Sequence, residues 1–210
     1  MAMNFGEYEY RTTESNHLKG YLWEPVLRRL IQEKSVKRIL DLGCGNGAFS
    51  KKLAELGYDV VGVDTSESGI AQARLGGHAV RFETGSAYDD LKSQFGEFDC
   101  LVSLEVVEHL YSPKTFAANL NQLLKPGGLV LISTPFHGYW KNLVMAITGK
   151  MDAHFMALWE HGHIKFWSVR TLTKLLENEG LKVEPFLFAG RNRVLAKSMI
   201  AVARKPGIAQ

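Results

Sequence analysis

A chain of 210 residues is long enough to bury a full hydrophobic core and short enough for a single α/β domain carrying one insertion. Its formal charge of +3 and its pI of 8.8 are too mild to imply nucleic acid, and no run of five like charges occurs, so no nucleic-acid partner is expected. No uninterrupted apolar stretch approaches the ~18 residues of a spanning helix, and Met1-Ala2-Met3-Asn4-Phe5 has no basic segment leading into an apolar one, so a soluble, cytoplasmic protein is expected.

Residues 4 to 17 are polar and aromatic, and Leu22, Val26, Leu27, Leu30 and Ile31 then recur at helical spacing. The first strand follows at Ile39-Leu40-Asp41-Leu42 and runs into Gly43-Cys44-Gly45-Asn46-Gly47-Ala48, a glycine loop opening onto a helix. An acid at a strand end, followed by glycines at alternate positions, lets backbone close on a ligand while a carboxylate fixes a polar group. Gly43, Gly45 and Ala48 also satisfy the dinucleotide pattern G-x-G-x-x-G/A, so the loop alone does not choose a cofactor. Phe49, Leu53 and Leu56 mark one helical face, which Gly57 ends. Tyr58 to Asp64 is a buried strand with an acid at its end, and Thr65-Ser66-Glu67 can cap the next helix. Asp64 lies about twenty residues after the loop, where an acid can accept hydrogen bonds from ribose hydroxyls. Its alternative role is a charge at a helix N-terminus.

Ala79 to Glu83 reads as a third strand, leading into Thr84-Gly85-Ser86-Ala87. Phe98 to Leu104 is the fourth, leaving through Glu105-Val106-Val107-Glu108-His109-Leu110. Cys44 in the glycine loop and Cys100 in the apolar run of the fourth strand suit packing in a reducing compartment better than a disulfide. A helix over Thr115 to Leu124 ends at the turn Lys125-Pro126-Gly127-Gly128, before a fifth strand, Leu129 to Ser133.

Together, the glycine loop, Asp64, the polar exit of the fourth strand and the Lys-Pro-Gly-Gly turn resemble the class I S-adenosylmethionine-dependent methyltransferases over roughly residues 36 to 204. The resemblance implies a doubly wound, Rossmann-like sheet of seven strands with an antiparallel last strand. It also implies an N-terminal helical cap over residues 1–35, in which Tyr8, Tyr10 and His17 close the site from above; the alternative is an arm of surface aromatics. Residues 36–134 would form the cofactor-binding core and 168–205 the C-terminal part of the sheet. Cofactor contacts are expected from Asp41, Gly43, Cys44, Gly45 and Asn46 in the loop, from Asp64 and Thr65 at the ribose, and from Leu104 and Glu105 near the methionine end. The family commonly places an aspartate where Ser86 stands, so adenine recognition here passes to Ser86 and Ala87, with Asp89 as a substitute.

Between the fifth strand and the last helix, residues 135–167 are longer than a simple connection. They hold Phe136, Tyr139, Trp140, Phe155, Trp159, Phe166 and Trp167, with four of the seven histidines, His137, His154, His161 and His163. Trp140, Leu143, Val144 and Ile147 share a helical face, which predicts a helical lid over the strand ends. A structural subdomain holding its own aromatics is the alternative. Such a lid also leaves room for peripheral contact with a membrane. Leu172, Leu175 and Leu176 face inward on the last helix, and Leu181 to Phe188 and Val194 to Ala203 are the final two strands.

Glu105, Glu108 and His109 stand at i, i+3 and i+4, a spacing that places all three on one side of a helix. Three roles compete for them: His109, with Glu108, as base for an acceptor hydroxyl; a divalent-metal site completed by a lid histidine; or structure alone. A Glu-x-x-Glu-His sequence here resembles the ubiquinone-biosynthesis O-methyltransferases and the small-RNA 2′-O-methyltransferases, in which such residues are associated with a divalent metal. The expected activity is methyl transfer from S-adenosylmethionine to a hydroxyl of a small phenolic, quinone-like, lipid-like or sugar acceptor. An NAD-dependent oxidoreductase and a non-catalytic cofactor-binding protein are the alternatives.

Overall fold

The computed structural model describes residues 9–14, 17–76, 79–155, 157–159, 162–190 and 193–207. A 3₁₀ turn at His17–Gly20 leads into α1, Trp23–Ile31, whose buried Trp23, Val26 and Leu30 recur at helical spacing. The elements that follow are β1 (Arg38–Leu42), α2 (Ala48–Glu55), β2 (Asp59–Asp64), α3 (Glu67–Ala73), β3 (Val80–Thr84), α4 (Leu91–Phe95), β4 (Phe98–Leu104), α5 (Pro113–Leu123) and β5 (Leu124–Pro135). The lid segment contributes α6 (Tyr139–Ile147) and α7 (Met151–Phe155), and the chain closes with α8 (Val169–Asn178), β6 (Lys182–Gly190) and β7 (Ala196–Arg204).

The sheet runs β3-β2-β1-β4-β5-β7-β6, with β7 antiparallel to both of its neighbours and the other pairs parallel. That order is not the all-parallel 3-2-1-4-5-6 of dinucleotide-binding domains. Both faces are covered, so alternate residues of a strand enter different cores. Leu40 and Leu101 join Phe116, Leu120, Leu172 and Leu176 on one face. Ile39, Cys100 and Val102 join Trp23, Val26, Leu30, Phe49 and Leu53 on the other. Helix α1 thus belongs to a covering layer, its Trp23 ring 5.2 Å from Phe49. Arg29 reaches Glu184 on β6 at 2.8 Å, Arg204 on β7 reaches the same carboxylate at 2.7 Å, and both arginines also donate to Glu33. This ion network ties the first helix to the antiparallel edge of the sheet. No helix among the described residues is long and apolar enough to cross a membrane.

Two local expectations are corrected. Lys125-Pro126-Gly127-Gly128 does not precede the fifth strand but lies within β5, where the register against β4 shifts. Gly127 takes φ 79°, and Gly127 and Gly128 exchange backbone hydrogen bonds with Lys205 at 3.0 Å, so the glycines make a bulge that keeps pairing. Residues 105–110 do not begin a helix: Val107–His109 form one 3₁₀ turn, and α5 starts only at Pro113. The helix expected from Trp140, Leu143, Val144 and Ile147 is α6, and it exposes Trp140, Val144 and Ile147 at 59%, 57% and 75%, while Leu143 and Lys141 are half-buried and Met145 is buried.

Candidate active site

The glycine loop leaves β1 as its residues meet the end of β2. The amides of Gly43 and Cys44 both donate to the Val63 carbonyl, at 2.7 and 3.1 Å. Gly43 takes φ 84°, and a Cβ there would lie 2.3 Å from Val106 Cγ2. Val106 belongs to the segment leaving β4, so backbone of the loop packs directly on the Glu105-to-His109 segment. Gly45 takes φ 54°, and a Cβ on it would lie 2.5 Å from the Tyr10 hydroxyl. The ring of Tyr10 therefore lies on the loop, its amide donating to Ser68 Oγ at 3.0 Å. Asn46 clasps the same arm, donating to the carbonyls of Thr12 and Glu14 at 2.9 and 2.8 Å. Tyr10 thus packs on the loop at Gly45; Tyr8, the side chain of His17 and His161 lie outside the described residues.

Asp41 is buried and accepts from Ser50 Oγ at 2.6 Å; burial, with Asp64 nearby, pushes its carboxyl up to about 7. Cys44 is buried, and burial pushes its thiol well up, which makes it inert packing. Asp64 accepts from the Gly45 amide at 2.7 Å and the Ser66 amide at 2.8 Å, joining the loop to the start of α3. Thr65 beside it is exposed. Ser86 follows β3, one strand further out: its amide donates to Asp89 Oδ2 at 2.7 Å and its hydroxyl accepts from the Tyr88 amide at 3.2 Å. Asp89 is thereby engaged in its own turn. The Ala87 carbonyl accepts from Asn119 at 3.0 Å.

Leu104 ends β4, and Glu105 follows with φ 56°, the one non-glycine residue among those described in the left-handed region. Such a conformation persists only where its surroundings over-determine it. Here the Glu105 amide donates to the Ser133 hydroxyl at 3.0 Å, which in turn donates to Glu105 Oε1 at 2.7 Å. Ser198 also bonds the carboxyl, and Ser198 Oγ lies 3.3 Å from the Tyr21 hydroxyl. Burial pushes Glu105 up to about 7.

Glu108 is 1% exposed, and neither of its carboxylate oxygens meets a hydrogen-bond partner of good geometry, although the Thr134 hydroxyl lies close enough to favour the charged form. Burial and the neighbouring Glu105 push its carboxyl well above the usual range. His163 Nε2 lies 4.0 Å from Glu108 Oε1, and its ring stands edge-on to His109 at 5.0 Å. Burial, with His109 next, pulls His163 down to about 4, which leaves a neutral imidazole with a lone pair to offer. Donor atoms of Glu108, His109 and His163 all fall within 4.8 Å of one another. Residue 163 arrives there because the amides of Ile164 and Lys165 donate to the Glu108 carbonyl at 3.0 Å and Trp167 Nε1 to the Val107 carbonyl at 3.2 Å.

The structure thus brings together Glu108, His109 and one lid histidine, but leaves Glu105 outside that donor set, held by Ser133 and Ser198 instead. Because the segment is not helical, the i, i+3, i+4 relation does not operate. Tyr21, Ser133 and Ser198 escaped the sequence reading: hydroxyls separated by up to 177 positions leave no local pattern. Lys141 escaped it too, standing off the apolar face by which the lid helix was recognised.

The chain matches the family model for a methyltransferase domain over residues 15–185. It is 37% identical over 152 residues to a ubiquinone biosynthesis O-methyltransferase of Dinoroseobacter shibae, a match covering 69% of this chain and only 60% of the relative. A protein of the same description from Bradyrhizobium diazoefficiens is 32% identical over 192 residues, covering 80% of this chain and 72% of that one. The solved structure of a Pyrococcus horikoshii protein shares the fold with a TM-score of 0.70 at 20% identity, covering 93% of this chain and 94% of that one. The family model and these relatives, with the antiparallel β5-β7-β6 end of the sheet, show the family: the chain belongs to the class I S-adenosylmethionine-dependent methyltransferases.

Proposed function

We propose that this chain transfers the methyl group of S-adenosylmethionine to a hydroxyl of a phenolic quinone precursor. The observation that carries the reading is the placement of Glu108, His109 and His163 immediately beyond the glycine loop, with Val106 packed on Gly43 between them. The loop is compatible with the cofactor: Gly43 and Gly45 take positive φ, where glycine is favoured, and present backbone without side chains between Val106 and Tyr10. Asp41, Gly43, Cys44, Gly45 and Asn46 would hold it along the loop, Asp64 and Thr65 at the ribose, Ser86 and Ala87 at the adenine, and Leu104 and Glu105 at the methionine end. When bound it supplies an electrophilic methyl on a sulfonium. The chain itself aligns the acceptor oxygen behind that methyl, excludes water with the lid and takes the hydroxyl proton at His109 or Glu108 as the C–O bond forms and the C–S bond breaks. The names of the relatives, which place them in ubiquinone biosynthesis, support a phenol as acceptor.

The same three residues fit a divalent metal. Glu108 offers two buried oxygens without good hydrogen-bond partners, and His163 is a neutral imidazole. Glu108, His109 and His163 would hold the ion, which would lower the pKa of an acceptor hydroxyl. His109→Ala tests both forms of the reading. Cofactor affinity should stay intact while turnover falls by something like 10²–10⁴, as for loss of a general base. If a metal is used, chelator abolishes activity in the unmodified protein and His163→Ala behaves like His109→Ala; if His109 acts alone, chelator has no effect. Normal turnover in His109→Ala would leave that histidine structural and end the proposal for this cluster.

A finer reading concerns the lid. Tyr139, Trp140, Val144, Ile147 and Leu158 are exposed on it, with Lys150 and Lys165 nearby, a composition suited to peripheral contact with an anionic lipid surface. Cys44 and Cys100 are both free and buried, which agrees with a reducing, cytoplasmic setting.

A further inference from the structure

We propose that Tyr21 and Ser198 are positioning residues that fix the Glu105 carboxylate for the amino-acid end of the cofactor. The proposal rests on the reading above that puts Glu105 at the methionine end, and it adds residues from the N-terminal segment and from β7 to that subsite. Strand β7 runs antiparallel to β5, with Ser198 opposite Pro135 and Ile200 opposite Ser133. Residues opposite one another, and residues two apart, share a face of a sheet. Ser133 and Ser198 therefore stand together on the face that α1 covers, where Leu131, Ile200 and Val202 join Trp23. Both serines are buried. Tyr21, two residues before α1, reaches the same face, its hydroxyl 3.3 Å from Ser198 Oγ and its ring centre 4.9 Å from Lys197 Nζ.

Two hydroxyls thus meet the Glu105 carboxylate, and a third stands behind one of them. An ionised carboxylate only accepts, so Ser133 and Ser198 donate to it, and the Ser198 oxygen keeps lone pairs for the Tyr21 proton. Burial raises the Tyr21 hydroxyl, and the Glu105 and Glu108 charges add to that, so the phenol keeps the proton it donates. Each hydroxyl then has one role. At the end of the chain Glu105 is held at φ 56°, a conformation that lasts only while its neighbours hold it. Packing alone calls for neither a strained backbone nor a buried acid at that position. The next residue, Val106, packs on Gly43, so the strained residue adjoins the contact with the cofactor loop. Because neutral hydroxyls hold the carboxylate, its charge is left for a cation, and the amino-acid end of the cofactor brings an α-ammonium.

The test is calorimetric binding of S-adenosylhomocysteine and of 5′-methylthioadenosine, which keeps the nucleoside and the thioether but lacks the amino-acid end. Tyr21→Phe should weaken S-adenosylhomocysteine binding about fivefold and Ser198→Ala about tenfold, each a loss the size of one hydrogen bond. Methylthioadenosine binding should stay within about twofold, which also shows that each variant folds. On Glu105→Gln, which itself weakens S-adenosylhomocysteine binding, the same two changes should add less than about twofold, because they act through the carboxylate. Equal loss of both ligands would mean that the hydroxyls only stabilise the fold. No loss of either, or effects that multiply in full on Glu105→Gln, would equally overturn the positioning role. Methyl transfer is measured separately: a selective, Glu105-dependent loss of S-adenosylhomocysteine binding in a protein that methylates no acceptor would sink the catalytic reading and leave the positioning role standing.

Discussion

At the scale of single residues, Asp64 combines the ribose role proposed for it with a structural one that its position in the sequence does not announce. An acid some twenty residues beyond a glycine loop is legible as a ribose ligand; that it also accepts the amides of Gly45 and Ser66 depends on how β1 and β2 lie side by side. Asp64→Ala should weaken cofactor binding by about 1.5–3 kcal/mol, typical of hydrogen bonds to a charged group. The same change should lower the melting temperature of the cofactor-free protein, because two loop amides lose their acceptor. Calorimetry giving unchanged affinity would remove Asp64 from the ribose role. Gly43 and Gly45 were equally legible, since a positive φ or a close approach leaves its mark as a glycine. The strained Glu105 was not: nothing beside it in sequence shows that hydroxyls from β5 and β7 hold it.

At the scale of elements, strands β1, β2 and β4 were readable to within a residue or two because each is a continuous apolar run buried on both faces. Helix α6 was legible from its apolar face, but periodicity marked that face without saying which way it turns, and Trp140, Val144 and Ile147 are exposed. Likewise, the pairing of Gly127 and Gly128 with Lys205 needed a partner some 77 positions away. The contact of α1 with β6 and β7 is also long-range, and it carries a pH dependence. Burial alone would raise Glu33 and Glu184, but the guanidiniums of Arg29 and Arg204 outweigh it and hold both carboxyls below their usual range. Such groups stabilise the fold fully above the unfolded carboxylate value of about 4.3, and that stabilisation is lost as pH falls through the lowered values. Urea unfolding should therefore show stability dropping below about pH 4.3, and Glu33→Gln should both lower stability at pH 7 by about 1.5–3 kcal/mol and flatten that fall. A variant with the wild-type acid limb would mean that the network contributes nothing to folding.

At the scale of the whole molecule, the proposed arrangement is a rigid sheet presenting the cofactor loop, with the returning lid segment stitched to it through Glu108 and Val107. The exposed face of α6 is the surface proposed for peripheral contact. If that contact is with a lipid surface, the protein should sediment with phosphatidylglycerol vesicles more than with phosphatidylcholine ones, and Trp140→Glu should release it. Equal recovery in the supernatant with both lipids would argue against membrane contact. The central claim, methyl transfer to a phenolic hydroxyl, is tested most directly by incubating the protein with S-adenosylmethionine carrying a labelled methyl group and a catechol-bearing acceptor, with the product identified by mass spectrometry. The account expects one labelled methyl on a ring oxygen, lost in His109→Ala. Tight cofactor binding with no label in any acceptor would contradict it and favour a non-catalytic binding protein; turnover of a nicotinamide instead would restore the oxidoreductase alternative.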